Sequence, residues 1–186
     1  MGVAALWLPI LVSAVAVFVV SSIIHMGPFW HRSDYPRYAN EDRVLDALRT
    51  LGLPVGEYMM PRPASSTEMR SDSFKEKLKR GPAVLITVFP PWTGSMAGNL
   101  AQWFIYCLVV NLLAGYVAGA ALPAGTATAT AICRFVGTVA FIGYTVALWQ
   151  MAIWYRRSVG ITLKSTLDGL VYSAVACGVF MWLWPQ

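Results

Sequence analysis

Four stretches of this sequence run for about twenty residues each with almost no charge, and few folds accommodate that pattern. The first is LWLPILVSAVAVFVVSSII, Leu6–Ile24; the others cover about Gln102–Leu122, Ala131–Tyr155 and Leu167–Trp184. Roughly twenty apolar residues in a helix cross a ~30 Å hydrocarbon layer. Only 12% of the 186 residues are charged, too few to cover the surface of a soluble domain, where about a quarter is usual. The mean hydropathy of +0.57 agrees. The expected fold is an all-α membrane protein with four transmembrane helices. Residues 1–24 carry the first, 25–101 form a polar segment, and 102–186 carry the other three. Leu6–Ile24 reads as a span and not as a signal peptide, because no basic residues precede it, the run is long, and no A-x-A site follows before His25.

The basic residues set the expected orientation. Ten Lys and Arg lie between Arg32 and Arg80, none lies in Pro123–Thr130, and Arg156, Arg157 and Lys164 follow the third run. With four spans the first and third connections share a side. The positive-inside tendency makes that side cytoplasmic and puts both termini outside. Trp7, Trp103, Trp149, Trp154, Trp182 and Trp184 fall near the span ends, the depth amphipathic indoles prefer. The net charge of +5 is not a nucleic-acid signal, since the ten basic residues of the first connection are interspersed with eight acidic ones.

The polar segment is expected to hold short helices and a two-stranded β ribbon between the first two spans. Asn40 caps a helix over Glu41–Leu51 with Val44, Leu45, Leu48 and Leu51 on one face, and Gly52 and Pro54 end it. Ser73 and Glu76 have capping-box spacing for a second helix, Phe74–Arg80, which Gly81-Pro82 stops. Ala83–Phe89 is β-branched and pairs with Gly56–Pro61. Ala64–Met69 reads as a mobile connection and Pro90–Gly94 as a turn leading back to the membrane.

Residues able to carry chemistry are scarce. His25 and His31 follow the first span; an imidazole there suits haem, chlorophyll or a metal, with His25 the better candidate. Six positions apart, however, they do not share a helical face, and no Cys or acidic residue completes a ligand set in the sequence. No metal is therefore expected, and no resident cofactor, with haem or chlorophyll on His25 as the alternative. His31-Arg32-Ser33-Asp34-Tyr35 is no catalytic triad, and its expected pair is Arg32 with Asp34 or an acidic lipid head. No catalytic residue is assigned. Ionisable groups within spans mark transport, and only two are present. Arg134 lies close to the outer interface. Asp168 is placed at the start of the fourth span, where Ser165 or Thr166 caps the helix. Asn111, at mid-span, is expected to hydrogen-bond between helices. Cys107, Cys133 and Cys177 read as buried free thiols, without a disulfide framework.

Small residues recur at helix-packing spacing. Gly115 and Gly119 lie on the second span. Gly137, Ala140, Gly143, Tyr144 and Ala147 follow on the third, then Gly169, Ser173, Cys177 and Gly178 on the fourth. The segments His25–Arg49, Phe74–Pro90 and Thr162–Val175 resemble a group of small bacterial inner-membrane proteins of unassigned function. The resemblance implies a bacterial inner membrane and a cytoplasmic segment after the first span, and it carries no activity or site residue. The expected role is a non-enzymatic accessory subunit, in contact with the lipid bilayer and with other transmembrane subunits of a respiratory- or photosynthetic-type complex. A small transporter or channel using Arg134, Asn111 and Asp168 is the alternative, and a cofactor protein using His25 the third.

Overall fold

The computed structural model describes residues 1–27, 30–91 and 94–185. The chain divides into two compact units, Met1–Pro36 with Met96–Gln186, and Arg37–Ser95.

The larger unit is a helical bundle. A 3₁₀ turn, Val3–Leu6, leads into α1, Trp7–Met26. Within the second unit, the chain runs through α2 (Glu41–Leu51), β1 (Gly56–Met60), α3 (Ser66–Arg70), α4 (Asp72–Arg80) and β2 (Val84–Val88). The bundle resumes with α5, Ala97–Ala121, and α6, Ala129–Phe141. A π turn at Ile142–Val146 then leads to α7, Leu148–Tyr155, and α8 is Val159–Leu183. Four helical stretches are long and apolar enough to cross a membrane: Val3–Met26, Ala97–Ala121, Ala129–Tyr155 and Val159–Leu183. α1 packs against α5 and α8, and so does α6, so α1 and α6 take opposite corners.

The core follows helical spacing. Leu6, Ile10, Ala14 and Val17 meet Cys107, Val110, Ala114 and Ala118 of α5, Val136 and Ala140 of α6, and Tyr172, Ala176 and Phe180 of α8. Outward faces keep Val15, Val19, Ile105, Leu113, Leu163 and Leu170 exposed, an arrangement costly in water and neutral in lipid.

The small residues let the backbones meet inside the chain. A Cβ on Gly169 would run into Thr145 Cγ2, and one on Gly137 would stand 2.7 Å from Cys177 Sγ. At Gly115 it would be 3.0 Å from Ile10, at Gly119 3.0 Å from Met1 O, and at Gly143 3.0 Å from Val110. Gly178 differs, since a Cβ there meets nothing within 4 Å. Ser173 is buried and donates to Leu170 O at 2.8 Å. The π turn breaks the expected third-span stripe: Ala140 and Tyr144 face inward, and Ala147 is exposed.

Close approach of α6 and α8 also overturns the reading of the thiols as free. Cys133 and Cys177 form a disulfide, with Cα atoms 4.8 Å apart, and Cys107 alone is free and buried. Their 44-residue separation hides a pairing that only the helix contact creates. Denatured, unreduced protein is expected to take up one alkyl group per chain, and reduced protein three, by intact mass. Three groups without reductant would refute the pairing.

The second unit holds the expected ribbon: β1 and β2 pair antiparallel, Tyr58 opposite Ile86. α2 has the expected bounds, but Asn40 makes no side-chain cap. α4 begins earlier than expected because Ser71, not Ser73, accepts from Phe74 N at 3.2 Å. The stretch read as mobile contains α3, closed by Ser65 accepting from Glu68 N and Glu68 accepting from Ala64 N. Trp92 and Thr93 of the expected turn lie outside the described residues.

Candidate functional site

The polar groups of the bundle converge at the end where α1 stops and α8 begins. α8 starts at Val159, eight residues before the expected position. Its polar first turns look like loop in sequence, yet their hydroxyls turn back onto the helix. Thr162, Ser165 and Thr166 each donate to the carbonyl four residues earlier, at 3.0, 3.1 and 2.8 Å. Ser165 and Thr166 therefore cap nothing. Asp168 lies roughly 13 Å along the helix rather than in its first turn, and it is only 4% exposed.

α1 ends at Met26, so His31 is not on that helix. By Trp30 the chain lies against α8, and three side chains of α1 and α8 receive it. Lys164 donates to Trp30 O at 2.8 Å, Ser33 Oγ at 3.0 Å and Asp34 Oδ1 at 2.7 Å. Trp30 Nε1 donates to Asp168 Oδ1 at 2.8 Å. The His31 ring stacks on that of His25, with centroids 4.4 Å apart. Asp34 thus pairs with Lys164 and His31, not with Arg32. The Lys164 ammonium first, then His31, hold its carboxyl below the ordinary carboxylate range, against the opposing effect of partial burial.

The two histidines that sequence spacing separates are brought together with a carboxylate. His31 Nδ1 lies 2.7 Å from Asp34 Oδ2, and His31 Nε2 lies 3.0 Å from Asp168 Oδ2. The second approach is out of line for a hydrogen bond, and both atoms are buried without a hydrogen-bond partner among the described residues. His25 Nδ1 is 3.0 Å from Ser21 O and 3.4 Å from the Tyr172 hydroxyl. One donor atom each from His25, His31 and Asp168 lies within 4.8 Å of the others. An acidic residue does meet the histidines, and it comes from a helix more than 130 positions away.

Beside this group opens a cleft of about 500 Å³. His25 and Asp168 form one wall; Trp103, Tyr106, Tyr144 and Tyr172 form an aromatic floor; Asn99, Gln102 and Arg157 supply polar groups. The floor is held rigidly. Trp103 stacks on Tyr106 and donates to Ser21 Oγ at 2.7 Å, Tyr106 donates to Gly143 O at 2.5 Å, and Asn111 donates to the Tyr144 hydroxyl at 3.3 Å. Asn111 is wholly buried and joins α5 to the π turn. That turn sets Tyr144 into the floor, a use for which interrupted helices are suited. Among the described residues, Arg157 has no carboxylate partner.

Comparisons with protein-family models, curated proteins and solved structures give no match. Of the residues singled out from sequence, His25, His31 and Asp168 reach this site. Arg134 is exposed beside Cys133 and Met181, and Gly115, Gly119, Gly137, Gly143, Gly169, Ser173 and Asn111 serve helix packing along the bundle. Sequence reasoning missed Trp30, Lys164, Trp103, Arg157 and Tyr172. The available signal was Lys164 and Asp168, four positions apart at the head of an apolar run, where an ionisable pair needs a partner.

Proposed function

We propose that the chain is an integral protein of a bacterial inner membrane that binds an amphipathic, anionic small molecule at the basic end of its bundle. Residues 25–101 lie on the cytoplasmic side and both termini outside. The observation that carries the binding reading is the cleft, which combines a fixed aromatic floor with an Arg157 guanidinium that has no carboxylate partner among the described residues. Apolar walls with a few convergent polar groups are the usual make-up of a small-molecule site. The aromatic floor suits the apolar part of a ligand, and Arg157 suits a phosphate or carboxylate.

Two features favour the orientation. Arg156, Arg157 and Lys164 mark the cleft end as the cytoplasmic one. The disulfide lies towards the opposite end, near the start of α6 and the close of α8, where an oxidising compartment would allow it. The accessory-subunit reading loses one of its supports, because five of the glycines behind it pack within the chain and, of that set, Gly178 alone faces open space. A transport path through Arg134, Asn111 and Asp168 gains none, because Arg134 is exposed outside the cleft while Asn111 is tied within the core.

Thermal unfolding of the purified protein in mild detergent tests the binding. Dihexanoyl phosphatidic acid should raise the midpoint, dihexanoyl phosphatidylcholine should not, and Arg157→Gln should abolish the rise. A rise with inorganic phosphate alone identifies a free anion, and not a lipid head, as the ligand class. No shift with either anion, or an undiminished shift in Arg157→Gln, counts against the reading.

A further inference from the structure

From the convergence of His25, His31 and Asp168, we propose that the bundle holds one divalent first-row transition-metal ion between these three side chains. The inference does not depend on whether an amphiphile enters the neighbouring cleft.

Each of the three side chains is held in a way that suits ligation. In metal sites, the ligating atom of a histidine is oriented because its other ring nitrogen donates to a carboxylate or a backbone carbonyl. Both histidines have that arrangement. His31 Nδ1 meets the Asp34 carboxylate at 2.7 Å, and His25 Nδ1 meets Ser21 O at 3.0 Å. With the ring proton on Nδ1 in each case, Nε2 carries the lone pair. Asp168 is built the same way: Oδ1 accepts from Trp30 Nε1, which leaves Oδ2 to ligate. Three residues from three segments therefore have one atom tethered and one atom available.

Two of these available atoms are also left unsatisfied by the described residues. His31 Nε2 and Asp168 Oδ2 are buried and 3.0 Å apart, yet neither has a hydrogen-bond partner among the described residues. Orphaned buried polar atoms are rare in native folds and call for an explanation. A metal ion supplies one. Two ligands each about 2.1 Å from an ion, at angles of about 90–110°, stand roughly 3.0–3.4 Å apart. One His25 ring nitrogen lies within 4.8 Å of the other donors; the ring stacks on His31 and is exposed at the helix end, so it must tilt off that stack to complete the set.

Two imidazoles and one carboxylate suit zinc, cobalt, iron or manganese better than calcium or magnesium, which prefer oxygen donors. Three protein ligands leave coordination positions open. His25 and Asp168 line the cleft, so an open position on that side would be within reach of a small molecule there. The competing account is a protonated His31 bridging Asp34 and Asp168, which requires no metal and gives His25 no role.

Metal-free protein in detergent should be titrated with Co²⁺ and Zn²⁺, following visible absorption for cobalt and bound metal by elemental analysis after desalting. One ion per chain is expected, with ligand-field bands for cobalt that Zn²⁺ displaces. His25→Ala changes an exposed side chain and keeps the fold, and it should weaken binding by at least about tenfold. Asp34→Asn, which removes the carboxylate from both His31 and Lys164, should weaken it by about 10–100-fold. Asp168→Asn should abolish the cobalt bands, with circular dichroism reporting the helices. Absence of stoichiometric metal in the wild-type protein, or affinity unchanged in His25→Ala, would overturn the proposal and leave the bridging imidazolium.

Discussion

Gly169→Val is expected to remove most folded protein from detergent extracts, the largest effect of any single substitution in the bundle. A Cβ at this position would overlap Thr145 Cγ2 and stand 3.3 Å from Tyr144 Cβ. Neither neighbour can move aside cheaply. Thr145 is buried with its hydroxyl bonded to Phe141 O at 2.5 Å, and Tyr144 is fixed in the π turn. Overpacking by a methylene or two costs about 1–3 kcal/mol where the core can adjust, and here the obstruction is a β-branched side chain close to backbone. A domain's whole stability is only about 5–15 kcal/mol. Gly178→Ala is the paired control: a Cβ there meets nothing within 4 Å, so its melting midpoint should match the wild type. Fluorescence-detected size-exclusion after heating reads both. A Gly169→Val protein that melts with the wild type would mean that α6 and α8 do not approach this closely.

The second large effect is local. Lys164→Ala should release the segment from Trp30 to Asp34 while leaving the helices folded. The ammonium makes three of the bonds that hold this segment on α8, and its loss leaves Asp34, whose side chain is only 6% exposed, without its main counter-ion. Breaking a buried pair from one side costs about 3–5 kcal/mol; with the lysine about a quarter exposed, about 2–3 kcal/mol is expected. Hydrogen–deuterium exchange should rise over residues 30–36 and stay unchanged in α5 and α6. Unaltered exchange in that segment would show that Trp30 and His31 hold it without the lysine.

The expected elements and the observed ones part company for identifiable reasons. α2 and the ribbon were legible because a glycine or proline ends each amphipathic or β-branched run. The start of α8 was not, because Thr162, Ser165 and Thr166 look like loop residues until their hydroxyls find the carbonyls four positions back. That displacement decided the reading of Asp168. Placed in a first turn, it is a dipole partner; placed in the third turn and buried, it meets Trp30 and His31. α3 was likewise hidden, since a five-residue helix has almost no periodicity and shows itself only through the Ser65–Glu68 exchange.

By itself the sequence determined four helices long and apolar enough to cross a membrane, the basic end of the bundle, and the small residues that let its helices approach. Hydropathy, charge and residue size act locally along the chain, so they can be read from it. Only the tertiary structure decided that Cys133 meets Cys177, that His25 and His31 stack although their spacing keeps them off one helical face, and that Asp168 joins them. The first follows from the α6–α8 contact; the other two depend on where α1 stops and how far α8 extends beyond it. Such endpoints are set by hydrogen bonds between distant segments, such as Lys164 to Trp30, and not by any pattern within one run of residues.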